Sequence, residues 1–149
     1  MRIAILFTIL LSSTCIAFEL KDSVSTRFGT VDIYFDESSG REEQNIEDSK
    51  DGLSPIYFVD YDSLIGTWQL GDADVILVRT PQGNSCPGLF VIYEVKPKFI
   101  SKTEEFGTCY DADLEVEKNN SHLIMKMPKS YYERTIVSFI FKNGKVEKM

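Results

Sequence analysis

The chain has 149 residues, with 23 acidic and 16 basic side chains and a net charge of −7. This excess of acid argues against a protein that binds DNA, RNA or anionic lipid, because those ligands need a basic surface. It permits a basic protein partner. A chain of this length makes about one domain and can bury about two-thirds of its surface.

The first residues predict a secretory signal. Arg2 precedes an apolar run at 3–11, and small and polar residues lead to Ala17. Cleavage after Ala17 would leave one β-rich domain, residues 18–149, in the periplasm or outside the cell. An uncleaved anchor would need about 20 apolar residues, and Ser12 interrupts the run too early.

Lipid attachment at Cys15 is a second alternative for the N-terminus. Bacterial lipoprotein signals usually place leucine three residues before the cysteine and a small residue directly before it. Here those positions hold Ser12 and Thr14. The signal peptide therefore remains the preferred prediction, and Cys15 is expected to leave with it.

Strands dominate the rest of the chain. Val31, Ile33 and Phe35 alternate with polar residues, which predicts a half-buried strand. Val24 and Phe28 are interpreted as extending this strand backwards. The predicted strands, in chain order, are residues 30–35, 56–59, 64–70, 74–80, 89–95, 114–117, 123–127, 134–141 and 145–149.

Residues 36–54 interrupt the strands with an acidic loop. Between positions 36 and 51 there are seven acidic and two basic side chains, a net of −5. A helix there would have no apolar face to pack, so the prediction is a solvated loop. The candidate contacts for a basic protein partner lie in it: Glu42, Glu43, Glu47 and Asp48.

Two strands are predicted to be central. Residues 74–80 and 89–95 are apolar on both faces, as expected for strands that are covered on both sides. Asn143 and Gly144 predict a tight hairpin before the last strand, because both residue types can take positive φ. The fold class is therefore all-β: an antiparallel sandwich or barrel of seven to nine strands.

Cys86 and Cys109 remain after loss of the signal and predict a disulfide, as expected for an even number of cysteines in an oxidising compartment. Such a link stabilises by roughly 3 kcal/mol. A zinc site would need about four ligands, and His122 is the sole histidine. Cys86 as a nucleophile would lack a nearby histidine base.

No catalytic, cofactor-binding or metal-binding residues are predicted. Ser121 and His122 are adjacent, and neighbours on a strand point to opposite faces, so they are not expected to pair. Asp60 with Asp62, and Asp72 with Asp74, could bind calcium. They do not follow the calcium-loop pattern, and turn formation explains them.

The segments Gly83-Asn84-Ser85-Cys86-Pro87 and Phe106-Gly107-Thr108-Cys109-Tyr110-Asp111, followed by Met127-Pro128, resemble an uncharacterised family of small exported proteobacterial proteins. The resemblance covers about residues 74–128. It implies a periplasmic location and a paired Cys86 and Cys109. It implies no activity.

The functional prediction is an exported protein that acts by binding, for example an inhibitor or immunity protein that blocks a cationic cell-wall enzyme. The alternative is a hydrolase that uses a carboxylate pair on cell-wall or glycan substrates. Such a site needs two carboxyl groups roughly 5–10 Å apart in a cleft. The abundance of acidic residues leaves this alternative open.

Overall fold

The structure, a computed structural model, describes residues 19–35, 56–58, 63–80, 86, 89–110 and 113–149. The predicted signal (1–17) and acidic loop (36–54) lie outside these ranges. The described residues contain no helix that is both long enough and apolar enough to cross a membrane.

Eleven strands form in the described ranges. They are β1 (Glu19–Thr26), β2 (Gly29–Phe35), β3 (Ile56–Phe58), β4 (Ser63–Leu70), β5 (Ala73–Thr80), β6 (Leu89–Lys96), β7 (Phe99–Lys102), β8 (Glu115–Lys118), β9 (Leu123–Pro128), β10 (Ile136–Lys142) and β11 (Lys145–Lys148).

These strands form three sheets. Sheet A has the order β1-β2-β3, sheet B the order β4-β5-β6-β7, and sheet C the order β11-β10-β9-β8. All neighbours are antiparallel except β2 and β3, which are parallel. The prediction of an all-β fold with antiparallel sheets is confirmed.

Sheet B lies in the middle because its two inner strands are apolar on both faces. One face of β5 and β6 carries Val75, Leu77, Phe90 and Ile92, which pack in a cluster with residues of sheet C. The opposite face packs against sheet A. The prediction that both strands are central is confirmed.

Sheet C covers one face of sheet B with alternate residues of β9 and β10. Six side chains from these strands enter the shared core: Leu123, Met125, Met127, Val137, Phe139 and Phe141. The intervening residues face outward, and Ile136 is 56% exposed. Period-two alternation thus places one face of sheet C inside and leaves the other partly exposed.

Sheet A covers the other face of sheet B. Val24 and Val31 are buried in a cluster with Ile76, Val91 and other residues of β5 and β6. The interpretation that Val24 and Phe28 extend β2 is wrong. Instead β1 and β2 form a hairpin, in which Thr26 pairs with Gly29 across a two-residue turn. The result is three sheets stacked on one another.

An ion pair between a partly exposed arginine and a buried carboxylate joins sheet A to sheet B. Arg27, in the turn after β1, donates from its backbone N–H and its Nε to the two carboxylate oxygens of Asp74, at 2.6 and 2.7 Å. Its terminal nitrogens donate to the carbonyls of Gly71 and Ala73. Asp74 is only 5% exposed, so this arginine satisfies a carboxylate that burial would otherwise destabilise.

The structure has more strands than the seven to nine predicted. The additional strands include β1 and the four-residue β7, at positions where the sequence predicted no strand. The predicted hairpin at Asn143-Gly144 is confirmed: their φ angles are 53° and 75°, and β10 and β11 pair around them. β11 lies at the edge of sheet C.

Candidate binding surface

The predicted disulfide between Cys86 and Cys109 is present, with Cα atoms 4.4 Å apart. Cys86 precedes β6 and Cys109 follows β7, so the link closes the end of sheet B where β6 begins. Cys109 has a φ of 61°, a backbone conformation that non-glycine residues rarely adopt. The disulfide fixes this strained residue beside the start of β6.

The residues just before Cys109 continue sheet B beyond β7. Phe106 exchanges two backbone hydrogen bonds with Phe90, at 2.8 and 2.9 Å. Gly107 has a φ of 140°, and an added Cβ would lie 3.3 Å from side-chain atoms of Leu89 and Phe90. Glycine is therefore required both by the backbone angle and by the close approach to β6.

The same segment reaches across to sheet C. The Thr108 hydroxyl donates to the Pro128 carbonyl at the end of β9, over 2.7 Å. The Tyr110 ring makes an edge contact with Tyr131, with ring centroids 5.9 Å apart. The structure thus brings together the described parts of the three segments on which the family resemblance rests, namely Cys86, residues 106–110 and Pro128.

Residues 129–135 connect β9 to β10, and we call this connection the tyrosine turn. The Lys129 N–H donates to the Thr135 carbonyl at 2.8 Å, which closes the base of the turn. Within it, the Glu133 N–H donates to the Ser130 hydroxyl at 3.0 Å. Lys129 and Glu133 also form an ion pair at 2.8 Å. These local contacts give the turn a defined shape.

The tyrosine turn presents two large rings to solvent. Tyr131 is 74% and Tyr132 is 92% exposed. The two rings pack edge to face with centroids 5.3 Å apart and planes 84° apart. Exposed rings of this size add little to the stability of the fold, and tyrosine is enriched where proteins bind each other.

Sequence reasoning missed this surface. The four acidic residues chosen as candidate contacts, Glu42, Glu43, Glu47 and Asp48, lie outside the described residues. The signal for the tyrosines was nonetheless present: two consecutive aromatic residues follow Pro128 and stand among polar residues. Such a pair in a connection between strands has no core to enter, so its exposure could have been predicted.

Ser121 and His122 do lie together, and the contrary prediction is wrong. They belong to the turn before β9, where strand alternation does not apply, and Ser121 Oγ lies 3.3 Å from His122 Nδ1. The Asn119 Oδ1 accepts from both backbone N–H groups, at 2.9 and 3.0 Å. This orients the Asn119 amide so that Nδ2 faces His122 Nε2, over 2.8 Å.

This geometry gives the serine and histidine a structural role. Because Asn119 Nδ2 can only donate, the neutral His122 ring accepts at Nε2 and carries its proton on Nδ1. The nitrogen that faces Ser121 therefore has no lone pair with which to take the hydroxyl proton. The three side chains stabilise the hairpin turn between β8 and β9.

Several described carboxylates are held by basic side chains. Asp74 binds Arg27, so the suggested calcium pair of Asp72 and Asp74 has one member engaged elsewhere. Glu94 forms an ion pair with Lys96 at 3.3 Å. Among the described residues, no group of three or more His, Cys, Asp or Glu side chains is placed to hold a metal ion. Asp60 and Asp62 lie outside the described ranges.

Comparisons with known proteins found no match to this chain among protein-family models, curated proteins or solved structures. The resemblance to small exported proteobacterial proteins stays a prediction. The structural findings at this end of the molecule are the disulfide, the braced segment 106–110 and the exposed tyrosine turn.

Proposed function

We propose that this chain is an exported binding protein that inhibits a basic, glycan-cleaving cell-wall enzyme. The proposal combines the predicted signal, which places the protein in the periplasm or outside the cell, with a net charge of −7. A basic partner would be attracted over long distances by this charge, which raises the rate of encounter.

The observation that carries the proposal is the exposure of Tyr131 and Tyr132 on a turn with a defined shape. A folded protein gains nothing from leaving two adjacent rings in water, whereas a binding protein gains from rigid aromatic side chains. Tyrosine loses little conformational entropy on binding and buries a large area. The same turn contacts segment 106–110 through Tyr110 and Tyr131. This segment is held in place by the disulfide and by the Thr108 hydrogen bond.

The acidic loop would supply the attraction to a basic enzyme. Between positions 36 and 51 it contributes a net of −5, and its candidate contacts are Glu42, Glu43, Glu47 and Asp48. Charges at the rim of an interface mainly change the association rate and its salt dependence. The acidic loop and the tyrosine turn would therefore have separable kinetic roles.

The direct test uses lysozyme, a basic glycan hydrolase, as the probe. Purified residues 18–149 should bind lysozyme and slow its hydrolysis of cell walls, with an association rate that falls as salt rises. Replacing Glu42, Glu43, Glu47 and Asp48 with serine should lower the association rate. Absence of both binding and inhibition at low salt would overturn the proposal.

A further inference from the structure

We infer that the tyrosine turn enters the glycan-binding cleft of the enzyme, with Tyr131 and Tyr132 in its sugar subsites and Arg134 near its catalytic carboxylates. This inference rests on the proposed function and specifies how the inhibitor would act. It is carried by the shape, the ring chemistry and the charge of the turn.

The shape of the turn suits a concave site. Residues 129–135 link two adjacent strands at the end of sheet C, and the two rings at their middle are largely exposed. Hydrogen bonds at its base and within it hold this conformation before binding. A projecting segment that is already ordered loses less entropy when it enters a cleft.

The ring chemistry suits a site that binds sugars. Subsites for small ligands are mostly apolar with a few polar groups that orient the ligand. A tyrosine has the same two parts, an apolar ring face and a hydroxyl that can donate and accept. Because the two rings stand 84° apart, they can contact two different walls of one cleft.

The charge of the turn indicates which part of a basic enzyme it meets. Lys129 and Glu133 pair with each other, while Arg134 is exposed beside the rings. Most of a basic surface would repel this arginine. The carboxylate pair of a glycosidase would attract it, since such enzymes place two acidic groups at the bond that they cleave.

The two charged regions of the inhibitor would then face different parts of one partner. The acidic side chains between positions 36 and 51 would be attracted by the basic exterior, whereas Arg134 would lie at the acidic centre of the cleft. This arrangement predicts competition with substrate, because the turn and a sugar chain would occupy the same subsites.

Steady-state kinetics with lysozyme test this mode of binding. The wild-type chain should inhibit competitively, and a chitin oligosaccharide should displace it. Replacing both tyrosines (Y131A/Y132A) should raise the inhibition constant about 30-fold, the size expected of a hot spot, mainly through faster dissociation. The Y131F/Y132F variant keeps both rings and should lose much less.

Two further variants complete the experiment. R134E should weaken inhibition, because the new glutamate would be repelled by the catalytic carboxylates of the enzyme. Phe99 is 56% exposed at the far end of β6 from the disulfide, so F99A is the matched control and should inhibit like the wild type.

The possible failures are distinguishable. A wild-type chain that neither binds nor inhibits lysozyme would overturn the proposed function and this inference together. Binding that is non-competitive, or that Y131A/Y132A and R134E leave unchanged, would overturn the cleft insertion alone and leave the acidic loop as the main contact.

Discussion

The inner strands of sheet B and the tyrosine turn use large side chains in opposite ways. Ile76 and Ile92 are fully buried on opposite faces of sheet B, each covered by another sheet. Tyr131 and Tyr132 are adjacent in sequence and largely exposed. The two isoleucines stabilise the fold. The two tyrosines leave aromatic surface in water, where a binding partner could cover it.

The difference shows where substitutions should affect folding and where they should affect binding. Burial of a side chain such as isoleucine stabilises by about 1.5–3 kcal/mol, whereas an exposed ring contributes little. Between these extremes lie the disulfide and the Arg27–Asp74 pair, which tie segments of chain together. The following predictions test this ranking, from the largest effect to the smallest.

Ile76→Ala and Ile92→Ala should each lower the free energy of unfolding by about 2–5 kcal/mol, because each leaves a cavity in a fully buried layer. Urea denaturation measures the loss. Ile136→Ala, at a position 56% exposed, is the control and should cost much less. A cost below about 1 kcal/mol for Ile76→Ala would contradict the packing of sheet A on sheet B.

Replacing Cys86 and Cys109 with serine should lower the free energy of unfolding by roughly 3 kcal/mol, because the unfolded chain regains the freedom of a loop of 23 residues. Denaturation of the wild type with a reductant should give the same loss. Equal midpoints with and without reductant would show that the link does not stabilise the fold.

Arg27→Ala should cost about 1–3 kcal/mol, since it leaves the buried Asp74 carboxylate without its main donor. The backbone N–H of residue 27 remains as one donor. A double-mutant cycle with Asp74→Ala isolates the interaction. If the double variant is less stable than the Arg27 variant by the full cost of Asp74→Ala, the two side chains do not interact.

Gly66→Ala should cost about 1 kcal/mol by displacing a neighbouring ring. An added Cβ would lie 2.8 Å from the Cη2 atom of Trp68, so the indole must move. Trp68 is the sole tryptophan of the chain, and its fluorescence spectrum should shift in the folded state. An unchanged spectrum would show that this ring does not lie over Gly66.

Tyr132→Ala should change the free energy of unfolding by no more than about 0.5 kcal/mol, because its ring is 92% exposed. Its effect on lysozyme inhibition should nonetheless be large. A variant that loses stability and inhibition together would assign the ring to the fold and contradict the contrast between the two regions.

The parts of the fold that could be predicted have strong local patterns. β5 and β6 are apolar on both faces, and the asparagine and glycine at 143–144 match a well-defined turn. The β1–β2 hairpin could not be read in the same way, because its turn consists of Arg27 and Phe28, neither of which is a typical turn residue. The short β7 was missed because charged residues follow Phe99 and Ile100 closely.

The candidate surface was harder to predict because it depends on contacts between distant segments. The number of cysteines predicted the pairing of Cys86 with Cys109, but nothing predicted that Thr108 would reach Pro128 or that Tyr110 would contact Tyr131. Such contacts follow from how sheets B and C are stacked. The acidic candidates Glu42, Glu43, Glu47 and Asp48 were chosen by their charge, because charge can be counted from the sequence without knowledge of the fold.

The position of the disulfide also affects what happens when a protease cuts the chain. The edge strand β7 and the turn before it carry the exposed residues Lys98 and Lys102, both within the loop that Cys86 and Cys109 close. A tryptic cut at either lysine would leave two fragments that remain covalently joined and keep β6 in the middle of sheet B. The nicked molecule would migrate as one species on a non-reducing gel and would separate into two fragments only after reduction.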